Sequence, residues 1–436
     1  MRRTIIIVLA LAVVLGFVFW RFGPNLFNRA NIQKGPVNIT YWGLWEDENL
    51  IKQVIAEFES KNPNIKVNYL RQSSTNYRTR VQTQVREGVG PDVFTLHNSW
   101  LIMFDGDLAP APNDILGLNE YKSFYYPVAE ESFVKNSQIF AVPIEIDGLA
   151  LYYNEELLQA VGVTVPKNWQ EFIDSAVKMT VRDSSGQIQR AGAALGATGN
   201  IDHFSDILGL LLLQQPNVSL EAPNSPQVAE ILRFYTSFVT DPKKKTWDLN
   251  LPNSTQMFAQ GRLAYYFAPS WRAHELRQIN QNLKFKTAPV PQLSGKKTGW
   301  ASFWGVAVSA KSQNAKEAWK FGKFLGSEDA QKMIYSQASQ VRLFGMPYAT
   351  VQAGQQLQND PLVGSFVTQG PIYKFWYLSS NTFDNGINDE VIKYYEDGIN
   401  ATLQGTDPQV ALQTVEKGVQ QVLQKYTQPA PAPTGQ

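Results

Sequence analysis

The stretch VNITYWGLWEDENLIKQVIAEFESKNPNIKVNY, residues 37–69, decides how this chain folds. In Val37-Asn38-Ile39-Thr40-Tyr41-Trp42 the apolar and polar side chains alternate, the pattern of a strand half buried in a sheet. Gly43-Leu44-Trp45 interrupts it. Glu46, Asp47 and Glu48 then put negative charge where the positive end of a helix dipole begins. Leu50, Ile51, Val54, Ile55 and Phe58 recur at helical spacing until Asn62-Pro63 ends the element. Ile65, Val67 and Tyr69 alternate again. A strand, a helix and a strand in this order form a β-α-β unit, which lays its strands parallel in one sheet.

Working outward, Val81 and Val85 mark a second helix over 75–87, and Gly88-Val89-Gly90-Pro91 turns the chain into a third strand, Asp92 to Leu96. The first lobe is thus expected to be doubly wound α/β. Strand-like runs at Ile139–Pro143 and Leu149–Asn154 flank Ile144 to Gly148, which is expected to be the first crossover into a second lobe. Further helices are expected over 168–179, 203–213, 226–240, 313–325, 328–338, 388–402 and 407–425, with strands over 263–267, 285–288 and 303–309. A chain of 436 residues exceeds what one core usually organises, so two lobes are expected.

Composition excludes several classes of function. Basic and acidic residues nearly cancel at a net charge of +1, so no strong field draws nucleic acid to the surface. Cysteine is absent, which removes disulfides, thiolate metal sites, a cysteine nucleophile and a lipid-modified N-terminal Cys. The three histidines, His97, His203 and His274, have no metal-ligand spacing. Phosphate-loop, zinc-protease, nucleophile-elbow and dinucleotide fingerprints are all missing. No cofactor, no metal and no catalytic activity are therefore expected. Aromatic residues make up 12%, with 11 Trp, an excess that suits a ring-lined cleft.

At the N-terminus, Arg2 and Arg3 precede an uncharged run from Thr4 to Trp20. Roughly 17–20 apolar residues span a hydrocarbon core of about 30 Å. No small-x-small cleavage site follows Trp20. Residues 1–28 are read as a membrane anchor or signal segment and 29–36 as a linker. The body then lies on the extracytoplasmic face of the cell membrane, held by a single-pass N-terminal helix, or secreted if the segment is a cleaved signal. Residues 426–436, rich in Pro, are expected to be a disordered tail.

Several stretches resemble the family 1 extracellular solute-binding proteins, the cluster that contains maltose-binding protein and its sugar-binding relatives. They are Ile39 to Val67; Gly90-Pro91-Asp92-Val93-Phe94; Ala141-Val142-Pro143 through Leu151-Tyr152-Tyr153-Asn154 to Pro166-Lys167-Asn168-Trp169; Met257-Phe258 through Gly261-Arg262-Leu263-Ala264 to Ser270-Trp271; and Ala288-Pro289-Val290-Pro291 through Gly305-Val306-Ala307-Val308 to Ser327. The resemblance implies a periplasmic-binding-protein-like fold of two doubly wound lobes joined by a multi-strand hinge. Mapped onto this sequence, one lobe comprises 37–146 and 302–346, the other 147–301 and 347–425. It also implies a monomeric receptor that closes on a small guest and delivers it to the permease subunits of an ABC importer.

A neutral sugar or oligosaccharide needs carboxylates, amides and guanidinium groups for its hydroxyls, and flat rings for its C–H faces. Trp45, Glu46 and Asp47 follow the first strand at its C-terminal end, where open α/β sheets bind ligands. Asn98 and Trp100 follow the third strand in the equivalent position, beside His97, which is read as a structural hydrogen-bonder. Glu145 and Asp147 flank the crossover. Two residues apart on an extended segment they point to opposite sides, so one of them is expected to meet the guest. Trp271 matches the family's stacking aromatic, with Arg272 beside it. Of Trp300, Phe303 and Trp304 at the second crossing, one is expected to line the cleft. Trp376 and Tyr377 match an aromatic cluster that relatives use under the sugar, and Arg342 stands near the third crossing. Rival readings are a binding protein for a polyamine, anion or peptide, and a glycoside hydrolase using Glu145 with Glu46.

Overall fold

The computed structural model describes residues 35–293, 295 and 297–427. The expected anchor or signal segment, 1–28, lies outside them, as does the linker except for Gly35 and Pro36. Among the described residues no helix is long and apolar enough to cross a membrane.

The chain opens with β1 (Val37–Gly43), α1 (Glu48–Lys61), β2 (Ile65–Arg71), α2 (Tyr77–Glu87) and β3 (Val93–His97). β1 runs parallel to both β2 and β3, as the β-α-β pattern requires. Asp47 caps α1, its carboxylate accepting the N–H of Asn49 at 3.0 Å, while Ile51, Val54 and Phe58 form the buried stripe. After β4 (Ala141–Pro143) the chain leaves this lobe and returns only much later.

The second lobe contains β5 (Ala150–Asn154), α3 (Trp169–Met179), β6 (Val181–Arg182), β7 (Ile188–Ala193), α4 (Phe204–Gln214), α5 (Pro226–Thr240), β8 (Leu263–Ala268), α6 (Arg272–Ile279) and β9 (Phe285–Ala288). Its sheet has the order β9-β5-β8-β7-β6. Every residue of β8 is buried, so it is the central strand by burial as well as by order. Helix α4 is rich in leucine and buried along nearly its whole length, including its polar residues Ser205, Asp206 and Gln214. β10 (Trp304–Val308) then re-enters the first lobe between β3 and β4, antiparallel to both, giving the order β2-β1-β3-β10-β4. α7 (Ala315–Leu325) and α8 (Glu328–Ala338) cover one face of that sheet, and Trp319 and Phe321 pack with Phe58 and Tyr41 there.

The long hairpin α9 (Ile387–Leu403) and α10 (Pro408–Thr427) packs on α5. Residues 426 and 427 belong to α10 rather than to a disordered tail. Tyr426 is held there because its hydroxyl donates to Glu390 at 2.9 Å; residues 428–436 lie outside the described set.

Three segments pass between the sheets and lie against one another. Gly148 bridges Ala301, Ile146 N–H donates to the Pro347 carbonyl at 2.9 Å, and Ser302 N–H donates to the Asp147 carbonyl at 3.0 Å. Gly148 is required by this proximity: a Cβ there would stand 1.9 Å from the Trp300 carbonyl oxygen.

Candidate functional site

A cavity of about 260 Å³ opens between the two sheets, over the three crossings. Parallel strands β1 and β3 end at it, which is why the loops after them supply part of its wall. From the first loop come Trp45, 38% exposed, and Glu46, buried. Tyr69 holds that loop in place by donating to the Glu46 carbonyl at 2.6 Å. Arg342 of the third crossing donates to one Glu46 oxygen at 2.9 Å, and the other oxygen has no hydrogen-bond partner.

The first crossing supplies both of its carboxylates. Glu145 and Asp147 line the cavity together, contrary to the expectation that they face opposite sides. The reason is that residues 144–147 are irregular rather than pleated, so the alternation of a strand does not apply. Asp147 is bonded well: Gly148 N–H at 2.8 Å, Ser270 N–H at 3.0 Å and Ser270 Oγ–H at 2.7 Å. Glu145 makes no side-chain hydrogen bond of ordinary geometry among the described residues, although it is only 9% exposed. Burial raises its pKa to about 8, with the charge of Asp147 adding to the effect. Burial also raises Asp147, to about 7, opposed by its three donors.

Trp271 faces these groups from the start of α6, 41% exposed, with the Arg272 guanidinium 4.4 Å from its ring centre. Arg272 itself does not line the cavity. It ion-pairs with Glu275 and donates to His203 Nε2 at 3.1 Å, so it braces the Trp271 ring from behind. Of the aromatic residues at the second crossing, Trp304 lines the cavity and meets Trp45 edge to face, ring centres 5.6 Å apart. His97 also borders the cavity. Its two nitrogens pair with Ser99 and Ser302 hydroxyls at 2.8 and 3.1 Å, and burial lowers its pKa to about 3.

Six of the expected residues are not in the wall, apart from Arg272. Asp47 is the helix cap described above and forms an exposed pair with Arg71 at 3.6 Å. Asn98 is fully buried and exchanges two 3.0 Å bonds with the backbone of Phe303, tying β3 to the second crossing. Trp100 lies in the core near Tyr77 and Phe104. Trp300 is buried against Gly209 of α4, its indole N–H on Asp206 at 2.9 Å. Trp376 and Tyr377 pack on each other and, through Trp376, on Tyr395. Apart from Asp47, these are rings or an amide claimed by packing that the local sequence does not encode.

Other wall residues went unforeseen, notably His203, Asp206, His274, Ser380 and Phe383. Phe383 is 41% exposed and meets Trp45 at 5.9 Å. It adopts φ +54° between Asn381 and Asn385, which are also left-handed. A lone aromatic in the Asn-rich run Asn381-Thr382-Phe383-Asp384-Asn385 is the signal that could have found it.

Two α/β lobes with a hydrogen-bonded hinge and a ring-walled cavity between them define a receptor for a small solute. Residues 43–332 match the model of the family described as bacterial extracellular solute-binding protein, and the chain belongs to that family. Its members bind rather than transform their solutes. The chain is 24% identical over 358 residues to the "Multiple sugar-binding protein" of Streptococcus mutans serotype c, covering 78% of this chain and 81% of that relative. Among solved structures, a cyclo/maltodextrin-binding protein complexed with maltotetraose is similar at a TM-score of 0.72 and 18% identity, covering 91% of this chain and 100% of that one. An ABC substrate-binding protein from Listeria monocytogenes in complex with cycloalternan is similar at 0.66 and 21%, covering 89% and 99%. These likenesses place the chain in the two-lobed periplasmic-binding fold.

Proposed function

We propose that the chain is the carbohydrate receptor of an ABC importer, which takes a sugar between its lobes and presents it to membrane permease subunits. The observation that carries this reading is that Trp45, Trp271 and Trp304 line one cavity together with Glu145 and Asp147. Indole faces suit the C–H surface of a sugar, and the carboxylates suit its hydroxyls. The similar proteins named above, a multiple sugar-binding protein and receptors bound to maltotetraose and cycloalternan, support it.

The lobes divide at 146/147, 301/302 and 346/347, so that the guest binds the closed arrangement better than the open one and thereby shifts the population. The body is extracytoplasmic and monomeric. Residues 1–28 hold it to the membrane as an uncleaved anchor. A thermal-shift screen of the full chain in detergent against a carbohydrate panel tests the reading. A sugar present at 100 times its dissociation constant adds about 2.7 kcal/mol. Stabilisation by a polyamine, with none by any sugar, sinks the carbohydrate assignment.

A further inference from the structure

Among the described residues lining the cavity, four are carboxylates, Glu46, Glu145, Asp147 and Asp206, and one is a cation, Arg342. Each of three carboxylates has its own arrangement. Glu46 holds Arg342. Asp206 takes the Trp300 indole N–H at 2.9 Å and the Ser380 N–H at 3.2 Å. Asp147 takes the three donors of Gly148 and Ser270. Glu145 is the exception: it lines the cavity nine-tenths buried, and among the described residues no other side chain bonds to its carboxyl group.

The imidazoles do not supply the missing positive charge. His97 is kept neutral by burial, and His274 by burial and by the nearby Arg342. His203 accepts from Arg272 at Nε2, which leaves that nitrogen without a proton. Burial outweighs the pull of Arg342 and favours the protonated form of Glu145, and a guest that brings a cation into contact lets the carboxyl group ionise and pair. Indole faces attract a cation for the same electrostatic reason, and Trp45, Trp271 and Trp304 are all present. A metal ion is the wrong cation, because among the described residues no three acidic or imidazole side chains gather as a metal site requires.

We infer that the guest is an amino sugar, whose protonated amine sits against Glu145 and Asp147 while its ring lies on the indoles. This rests on the carbohydrate reading and narrows it. Neutral sugars become the controls.

The test is calorimetric titration of the full chain in detergent with matched pairs that differ only in amine against hydroxyl: glucosamine and glucose, galactosamine and galactose, mannosamine and mannose, and their disaccharides. At least one amine is expected to bind about tenfold or more tightly than its hydroxyl partner, as charge-assisted hydrogen bonds exceed neutral ones. Glu145→Gln is expected to abolish that preference while lowering affinity for the neutral partner less. Equal or tighter binding of the neutral sugar in every pair overturns the inference and leaves the carbohydrate reading intact. An equal loss for both partners in Glu145→Gln also overturns it, since that marks a merely structural side chain. If no member of the panel binds, neutral or cationic, both readings fall.

Discussion

Arg342 and Glu46 lie 296 residues apart in sequence and meet in a hydrogen-bonded ion pair of 2.9 Å at the edge of the cavity. The guanidinium also donates from Nε to the Phe344 carbonyl at 3.0 Å, so one side chain fixes both the loop after β1 and the third crossing. Glu46 is the more buried partner, and removing Arg342 strands its charge. Arg342→Ala is expected to cost about 1–3 kcal/mol, below the full value for a buried pair because the arginine is partly exposed. Adding Glu46→Gln is expected to restore part of the loss. Urea unfolding of both single variants and the double variant measures this, and strict additivity would show that the pair contributes nothing.

Trp271 stands out of the core, so truncating it leaves no cavity to collapse. Trp271→Ala is expected to weaken binding of the best sugar in the panel by about 1–3 kcal/mol with little change in melting temperature. A large melting shift with unchanged affinity assigns the ring to packing instead.

Glu145 and Asp147 give stability a particular pH dependence. Folding raises both pKa values, to about 8 and about 7, from the usual carboxylate values near 4. Between these limits the native state holds protons that the unfolded chain has released. Their contribution is therefore fully present below about pH 4 and is lost as pH climbs through about 7 to 8. Glu46, Asp206 and Arg342 border the same cavity. Ligand-free Glu145→Gln is expected to lose less melting temperature than the wild type between about pH 5 and about pH 8. Parallel melting curves across that range would rule out the effect.

Gly148 tests the hinge independently of the guest. The Cβ of Gly148→Ala meets the Trp300 carbonyl oxygen at 1.9 Å, a backbone atom that cannot rotate away. The crossings must separate, at a cost of about 2 kcal/mol or more. Chemical denaturation reads the loss, and a variant as stable as the wild type means that the crossings are not held in contact.

Much of the fold was legible, because β1, α1 and β2 carry their periodicity within a few residues of each other. The cavity was legible where it meets those elements. Trp45 and Glu46 end a parallel strand, Glu145 and Asp147 lie on a crossover between two strand-like runs, and Trp271 and Trp304 adjoin others. Trp100 and Trp300 misled because a ring beside a strand end has the same local sequence whether it fills a groove or a core. Burial against Phe104 or Gly209 decides the matter, and both contacts are made only after the chain has folded. His203, Asp206 and Phe383 were invisible for a related reason. His203 and Asp206 come from the start of one helix and Phe383 from a loop much later in the chain, and no local pattern marks either as facing a cavity.

Strand β10 occupies the space between β3 and β4, yet all five strands of the other sheet are made before it. A ribosome adding about 5–20 residues per second takes on the order of ten seconds or more to pass from β4 to β10. For that interval the nascent first half carries two open strand edges and no finished interior. This order of assembly builds in a delay before the chain can lock.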